Sequence, residues 1–209
     1  GYWDTCFTGA VRMAHSRGNH PTRTRESRVS STALTGTTVV ELAANGPLEL
    51  AGMLLSDLGA TVIRVLRPGQ SAKPNVSLRG REHVTIDLKS ETGRAELLAR
   101  IASADVLLEG MRPGVAERLG IGPAEAAAAN PRIVYGRMTG WGQDGPLAHK
   151  AGHDLNYIAE TGALWAIRAP GARPTMPLNA VGDYGGGALY LVNGVLAALL
   201  ERHTTGVGQ

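Results

Sequence analysis

The sequence predicts an α/β fold built on a mainly parallel sheet with flanking helices. Three observations carry that expectation. Short β-rich runs recur along the chain, and most are followed by a segment with apolar residues at helical spacing. Glycine or proline marks several of the junctions between them, as at Gly59, Pro113 and Pro123. Strand, helix and strand between Thr37 and Leu66 fit a βαβ unit, which implies parallel strands and a right-handed crossover.

The elements follow in order. Thr37-Thr38-Val39-Val40-Glu41-Leu42 is the first strand, and Pro47 to Leu58 is a helix with Leu50, Met53, Leu54 and Leu58 on one face. Gly59 stops that helix as a C′ glycine, and Thr61 to Leu66 is the second strand. A polar loop from Arg67 to about Arg81 carries Lys73, Arg79 and Arg81. His83 to Leu88 reads as the third strand, Arg94 to Ala102 as a helix started at Ser90, and Asp105 to Glu109 as the fourth strand. Pro113 to Leu119 and Pro123 to Ala129 are short helices, each with proline near its start. Arg132 to Met138 is the fifth strand. A short helix over Tyr157 to Leu164 and a long apolar run from Ala188 to Leu200 complete the pattern.

Composition narrows the class. A length of 209 residues suits one large domain, or a domain with part of another. With 28 glycines and a single phenylalanine, packing must rely on Ala, Leu and Val with close backbone contacts. The net charge of +3 says little about the folded part, because Arg12, Arg17, Arg23, Arg25 and Arg28 crowd the first thirty residues. Clustered basic and aromatic residues are missing from the folded part, which argues against nucleic acid as a partner. One cysteine, Cys6, excludes an intrachain disulfide and fits a reducing, cytoplasmic location. Every long apolar run carries a polar interruption, so no membrane span is expected. The chain lacks an initiator Met and stops at Gly208-Gln209, so both ends read as cuts in a longer protein. Residues 1–33, rich in Arg and Ser with few acids, read as a disordered extension or a targeting presequence.

Several common chemistries lack their signatures. No GxGxxG follows the first strand, where Ala43-Ala44-Asn45-Gly46-Pro47 stands instead, and there is no GxxxxGK[ST]. With neither CxxC nor HExxH, no metal site is expected. What remains is Gly152-His153-Asp154-Leu155-Asn156-Tyr157, where a glycine-bearing loop becomes a helix, and Asp183 among Gly182 and Gly185 to Gly187. Free N–H groups at a helix start favour negative charge. Two titratable groups at two such junctions could face one ligand. Taken alone, Asp183 ahead of a long helix is an N-cap by default.

The phrases Ser56-Asp57-Leu58-Gly59-Ala60-Thr61-Val62-Ile63-Arg64-Val65, Arg67-Pro68-Gly69, Glu109-Gly110-Met111-Arg112-Pro113-Gly114-Val115 and Tyr135-Gly136-Arg137-Met138-Thr139-Gly140-Trp141-Gly142 resemble the class III CoA-transferase (CaiB/BaiF-like) family. Ala151 to Tyr157, Pro177-Leu178-Asn179 and Gly182-Asp183-Tyr184 resemble the branch that racemises 2-methylacyl-CoA thioesters. The resemblance covers Leu34 to Gln209. It implies a Rossmann-like CoA-binding large domain over 34–209, an interlocked homodimer, and a small domain beyond Gln209 that supplies a further acidic residue. The implied substrate is an acyl-CoA thioester of lipid metabolism, with coenzyme A entering as part of the substrate and no separate cofactor.

By the same resemblance His153 and Asp183 are the acid/base pair, one for each face of a planar enolate. Asp154 offers its backbone N–H to the enolate oxygen, although its side chain could equally cap its helix. Arg67, Ile86, Asp87, Leu88, Lys89, Gly110, Met111, Arg112 and Arg118 are implied along the CoA path. Gly152, Leu155, Asn156 and Tyr157 are implied at the acyl end. The rival within the family is a CoA-transferase, in which the aspartate matching Asp183 forms an acyl anhydride. Such enzymes usually carry another residue, often Tyr, in place of His153. A non-catalytic CoA- or nucleotide-binding module is the third reading, and the presence of both His153 and Asp183 argues against it.

Overall fold

Val39 and Val40 are neighbours in β1 (Thr38–Leu42), yet each is fully buried on a different face of the sheet. Side chains alternate along a strand, so a strand covered on both faces needs apolar residues at consecutive positions. β4 (Val106–Glu109) is buried throughout for the same reason. The computed structural model describes residues 32–71 and 75–209; the expectations for residues 1–31 and for Lys73 lie outside the described residues.

With β2 (Thr61–Leu66), β3 (Arg81–Thr85) and β5 (Val134–Arg137), these strands form a five-stranded sheet in the order β3-β2-β1-β4-β5. All four pairings are parallel. The chain starts at the centre, builds outward through β2 and β3, then returns to the other side of β1 with β4. The strand order therefore reverses between β1 and β4.

Helices cover both faces. On one, Leu48, Ala51 and Leu55 of α1 (Pro47–Asp57) and Val192, Val195 and Leu199 of α7 (Leu189–Thr205) pack against Val39, Val62 and Leu108. On the other, Leu97 and Ile101 of α2 (Glu91–Ser103), Ala116 of α3 (Val115–Arg118) and Ala126 of α4 (Pro123–Ala129) meet Val40, Val65 and Leu107. Each large aliphatic side chain buried this way contributes about 1.5–3 kcal/mol. Local signals set the ends of α1: Pro47 opens it, and Gly59, at φ 101°, follows its C-cap Leu58.

The structure moves several predicted boundaries. β3 begins at Arg81 rather than His83, because the Arg81 guanidinium enters a buried ion pair with Glu41 of β1. It ends at Thr85, where Asp87 folds a turn: its carboxylate accepts the Lys89 N–H at 3.0 Å, and its carbonyl accepts the Ser90 N–H at 3.0 Å. Ser90 then caps α2, its Oγ accepting the Gly93 N–H at 3.0 Å. α3 excludes Pro113, because Gly114 stands in left-handed backbone before it. The short helix predicted over Tyr157 to Leu164 is instead α5 (Asp154–Glu160) followed by α6 (Ala163–Ala166), separated at Gly162.

The largest change concerns Asp183. It lies within a π-helical segment, Ala180–Ala188, that runs straight into α7. The cap position belongs to Asn179, so Asp183 is not an N-cap. The joined helix Ala180–Thr205 spans 26 residues and contains an 18-residue stretch of mean hydropathy 1.2, long and apolar enough to cross a bilayer by those criteria alone. Its inner face, through Val192, Val195, Ala198 and Leu199, belongs to the core.

Candidate active site

Open parallel sheets bind ligands beyond the carboxyl ends of their strands, at the point where strand order reverses. A cleft of about 550 Å³ lies at that place. Ala44 and Asn45 after β1, Gly110 after β4, and Met138 and Thr139 after β5 form one wall. Gly152, His153, Tyr157 and Ile158 line it from the start of α5, and Val181, Gly182, Asp183, Gly186 and Gly187 from the π-helical segment. Its walls are mostly small and apolar, with a few convergent polar groups, as small-molecule sites tend to be.

His153 and Asp183, thirty positions apart in the chain, meet here. His153 Nδ1 is 3.3 Å from Asp183 Oδ2. The imidazole is 72% exposed and the carboxylate only 5%, so the carboxylate is enclosed while the imidazole faces the open cleft. Burial pushes the Asp183 carboxyl above its ordinary range; the neighbouring His153 opposes that shift, and the Asp154 charge adds to it. Asp183 Oδ1 is buried without a partner among the described residues.

Asp154 is buried at the first position of α5, but its side chain does not cap α5. Its Oδ2 accepts the N–H groups of Gly182 at 2.5 Å and of Asp183 at 2.9 Å, both in the π-helical segment. Glycine at position 182 suits this approach, since a Cβ there would stand 3.2 Å from the Asp154 Cα and carbonyl oxygen, a tight contact. The N–H of His153 is held by Asn156 Oδ1 at 3.0 Å. The Tyr157 hydroxyl donates to the Gly152 carbonyl, and its ring meets Trp141 edge-on at 4.9 Å. Burial and the Asp183 charge raise the Tyr157 phenol, which keeps it a donor.

Of the remaining predicted residues, Leu88, Lys89 and Arg118 come together in a second cleft of about 510 Å³, with Ser90, Glu91 and Arg94. Arg67 is exposed just past β2. Ile86 is packed in the core, so its side chain does not face a ligand. Asp87 shapes the turn before α2, and the Met111 N–H donates to Glu109 Oε2 at 2.6 Å. Gly110 lines the main cleft, whereas Arg112, Leu155 and Asn156 are exposed and do not line it.

Sequence reasoning missed Ala44, Asn45, Met138 and Thr139, although their places immediately after strands were a usable signal. It also missed the support beneath them. Glu41 is fully buried between Arg64 and Arg81. Arg64 also donates to the Ala44 carbonyl and to Glu49 Oε1, each at 3.0 Å. Burial raises the Glu41 carboxyl, and the two arginines oppose that rise. On the other side, Arg137 ties Glu109 to Glu117 and donates to Gln143 Oε1 at 3.0 Å, anchoring the loop that leads to His153.

The fold and the cleft define an α/β protein with an open cleft at a strand switch point and a histidine–carboxylate pair in its wall. Residues 34–209 match the profile of CoA-transferase family III, and the chain belongs to that family. It is 44% identical over 176 residues to mouse alpha-methylacyl-CoA racemase, covering 84% of this chain and 46% of that protein. The human protein of the same name is 42% identical over 177 residues, covering 85% and 46%. A probable fatty acyl-CoA transferase of Mycobacterium tuberculosis is 36% identical over 191 residues, covering 83% and 48%. A crystal structure of that mycobacterial protein superposes with a TM-score of 0.76 at 37% identity, covering 85% of this chain and 52% of that one. The chain thus spans about half the length of these relatives.

Proposed function

We propose that the complete protein racemises 2-methylacyl-CoA thioesters. The observation that carries this reading is the meeting of His153 and Asp183 in the wall of the switch-point cleft. One of them takes the proton from C2, the electrons pass to the thioester carbonyl oxygen, and the other returns a proton to the opposite face. No bond to sulfur breaks, and the thioester leaves intact. The N–H of Asp154, at the start of α5, is a donor for the enolate oxygen. The mouse and human relatives named as racemases support this direction.

The geometry adds one requirement. Each proton carrier must come within about 2.6–3.2 Å of its proton's position. Carriers on opposite faces of one carbon therefore need roughly twice that separation, which exceeds the 3.3 Å between His153 and Asp183. Substrate must part the pair, and the exposed His153 side chain is the one able to turn.

Coenzyme A enters as part of the substrate. Lys89 and Arg118, joined by Arg94, offer cations to its phosphates, and Arg67 offers another at the end of β2. The region 34–209 would then be the CoA-binding large domain of an interlocked homodimer. The exposed apolar residues Leu189, Tyr190 and Leu200 on α7 give such a dimer surface to bury.

A CoA-transferase reading rests on a different observation, the unpartnered Asp183 Oδ1. As a nucleophile it would attack the thioester carbonyl, expel the CoA thiolate and form an aspartyl anhydride. Incubating the full-length protein with a 2-methylacyl-CoA in D₂O separates the two. Deuterium at C2 with the thioester intact supports racemisation. Acyl transfer to a second acid without exchange supports the transferase.

A further inference from the structure

Asp154 lies between the two proton carriers in two senses. It follows His153 in the chain, and its carboxylate is bonded to the backbone N–H of Asp183. A helix start leaves its first N–H groups without partners inside the helix. Those of Gly182 and Asp183 are both taken by one oxygen of Asp154, reaching across from α5. The side chain is 3% exposed, and its other oxygen has no partner among the described residues. Such a group costs free energy to bury unless its bonds return it. Here the return is the fixed placement of one segment against another.

We infer that Asp154 is a positioning residue, whose carboxylate sets the spacing between His153 and Asp183 by capping the π-helical segment from the start of α5. The inference rests on the racemase reading for what is positioned, not for the contact itself. The groups facing the Asp154 carboxylate are the two N–H groups and the Asp183 side chain, with His153 beyond it. Asp154 is thus a spacer that also supplies a fixed negative charge beside Asp183.

The test compares Asp154→Asn and Asp154→Ala in the full-length protein. Asparagine keeps an oxygen that can accept both N–H groups but removes the charge; alanine removes both. Two readouts are needed: C2 exchange in D₂O, and NMR of the Gly182 and Asp183 amides together with titration of the Asp183 carboxyl. In the alanine variant the two amide protons should move upfield and exchange should fall about 100-fold, the scale of an ångström misplacement, with KM little changed. The asparagine variant should keep the amide positions, recover most of the exchange rate, and titrate Asp183 at lower pH. Asparagine as damaging as alanine with its amides in place would mean that the carboxylate takes part in the chemistry, and the positioning role would fall. So would an alanine variant with wild-type exchange. If the wild type transfers acyl groups without exchange, the racemase reading fails, while the amide and titration results still decide whether Asp154 positions Asp183.

Discussion

His153 Nδ1 and Asp183 Oδ2 stand 3.3 Å apart in the cleft wall, one on an exposed side chain and the other on a buried one. If each serves one face of the substrate, racemisation needs both, and His153→Ala or Asp183→Ala should nearly abolish it. Exchange should survive unequally. Each single variant should wash deuterium, with retention, into only the enantiomer whose proton faces the remaining group, so the two variants should show mirror-image selectivity. Ordinary racemisation by Asp183→Ala would remove Asp183 from the mechanism.

Burial raises the Asp183 carboxyl above its unfolded value, so the native state binds that proton more tightly than the unfolded chain. The stability this contributes is fully present below the unfolded pKa and is lost as pH rises through the folded one. Asp183→Asn resembles the neutral acid at every pH. It should melt above wild type at neutral pH. The gap should close near pH 3, below the ordinary carboxyl range. A gap independent of pH in a thermal melt series would refute the titration argument.

Arg67 sits past the carboxyl end of β2, and Lys89 and Arg118 share the second cleft. Losing one charge-assisted bond to a phosphate costs about 1.5–3 kcal/mol. Arg67→Ala and Arg118→Ala should each raise KM for the CoA ester about tenfold or more, with kcat nearly unchanged. Steady-state kinetics would reject the assignment if kcat collapsed at constant KM.

Glu41 pairs with Arg64 and Arg81, all three side chains buried near the carboxyl end of central strand β1, which leads to Ala44. Glu41→Ala would leave buried Arg81 without its carboxylate partner and Arg64 with Glu49 as its one remaining carboxylate, and should cost about 3–5 kcal/mol of stability. Denaturant unfolding should show the loss as a lower midpoint at unchanged slope. A shift below about 1 kcal/mol would place the network among pairs that solvent screens.

Local information was enough for most of the fold. The consecutive apolar residues of β1 and β4, Pro47 at the start of α1 and Gly59 after its end are each legible in a window of a few residues, because propensity, periodicity and turn chemistry act at that range. The family phrases around His153 and Asp183 were equally local. Other features were settled only by residues distant in the chain. Arg81 joined a strand because Glu41, forty positions earlier, drew its guanidinium inward. Lys89 and Arg118, 29 positions apart, come to line one cleft only in the folded chain. Asp183 entered the interior of a π-helical segment, and Asp154 bonded to that segment instead of its own helix. A buried hydrogen bond or ion pair takes its energy from the partner that packing delivers. No spacing within the chain specifies that Asp154, twenty-nine positions away, is the partner of the Asp183 N–H.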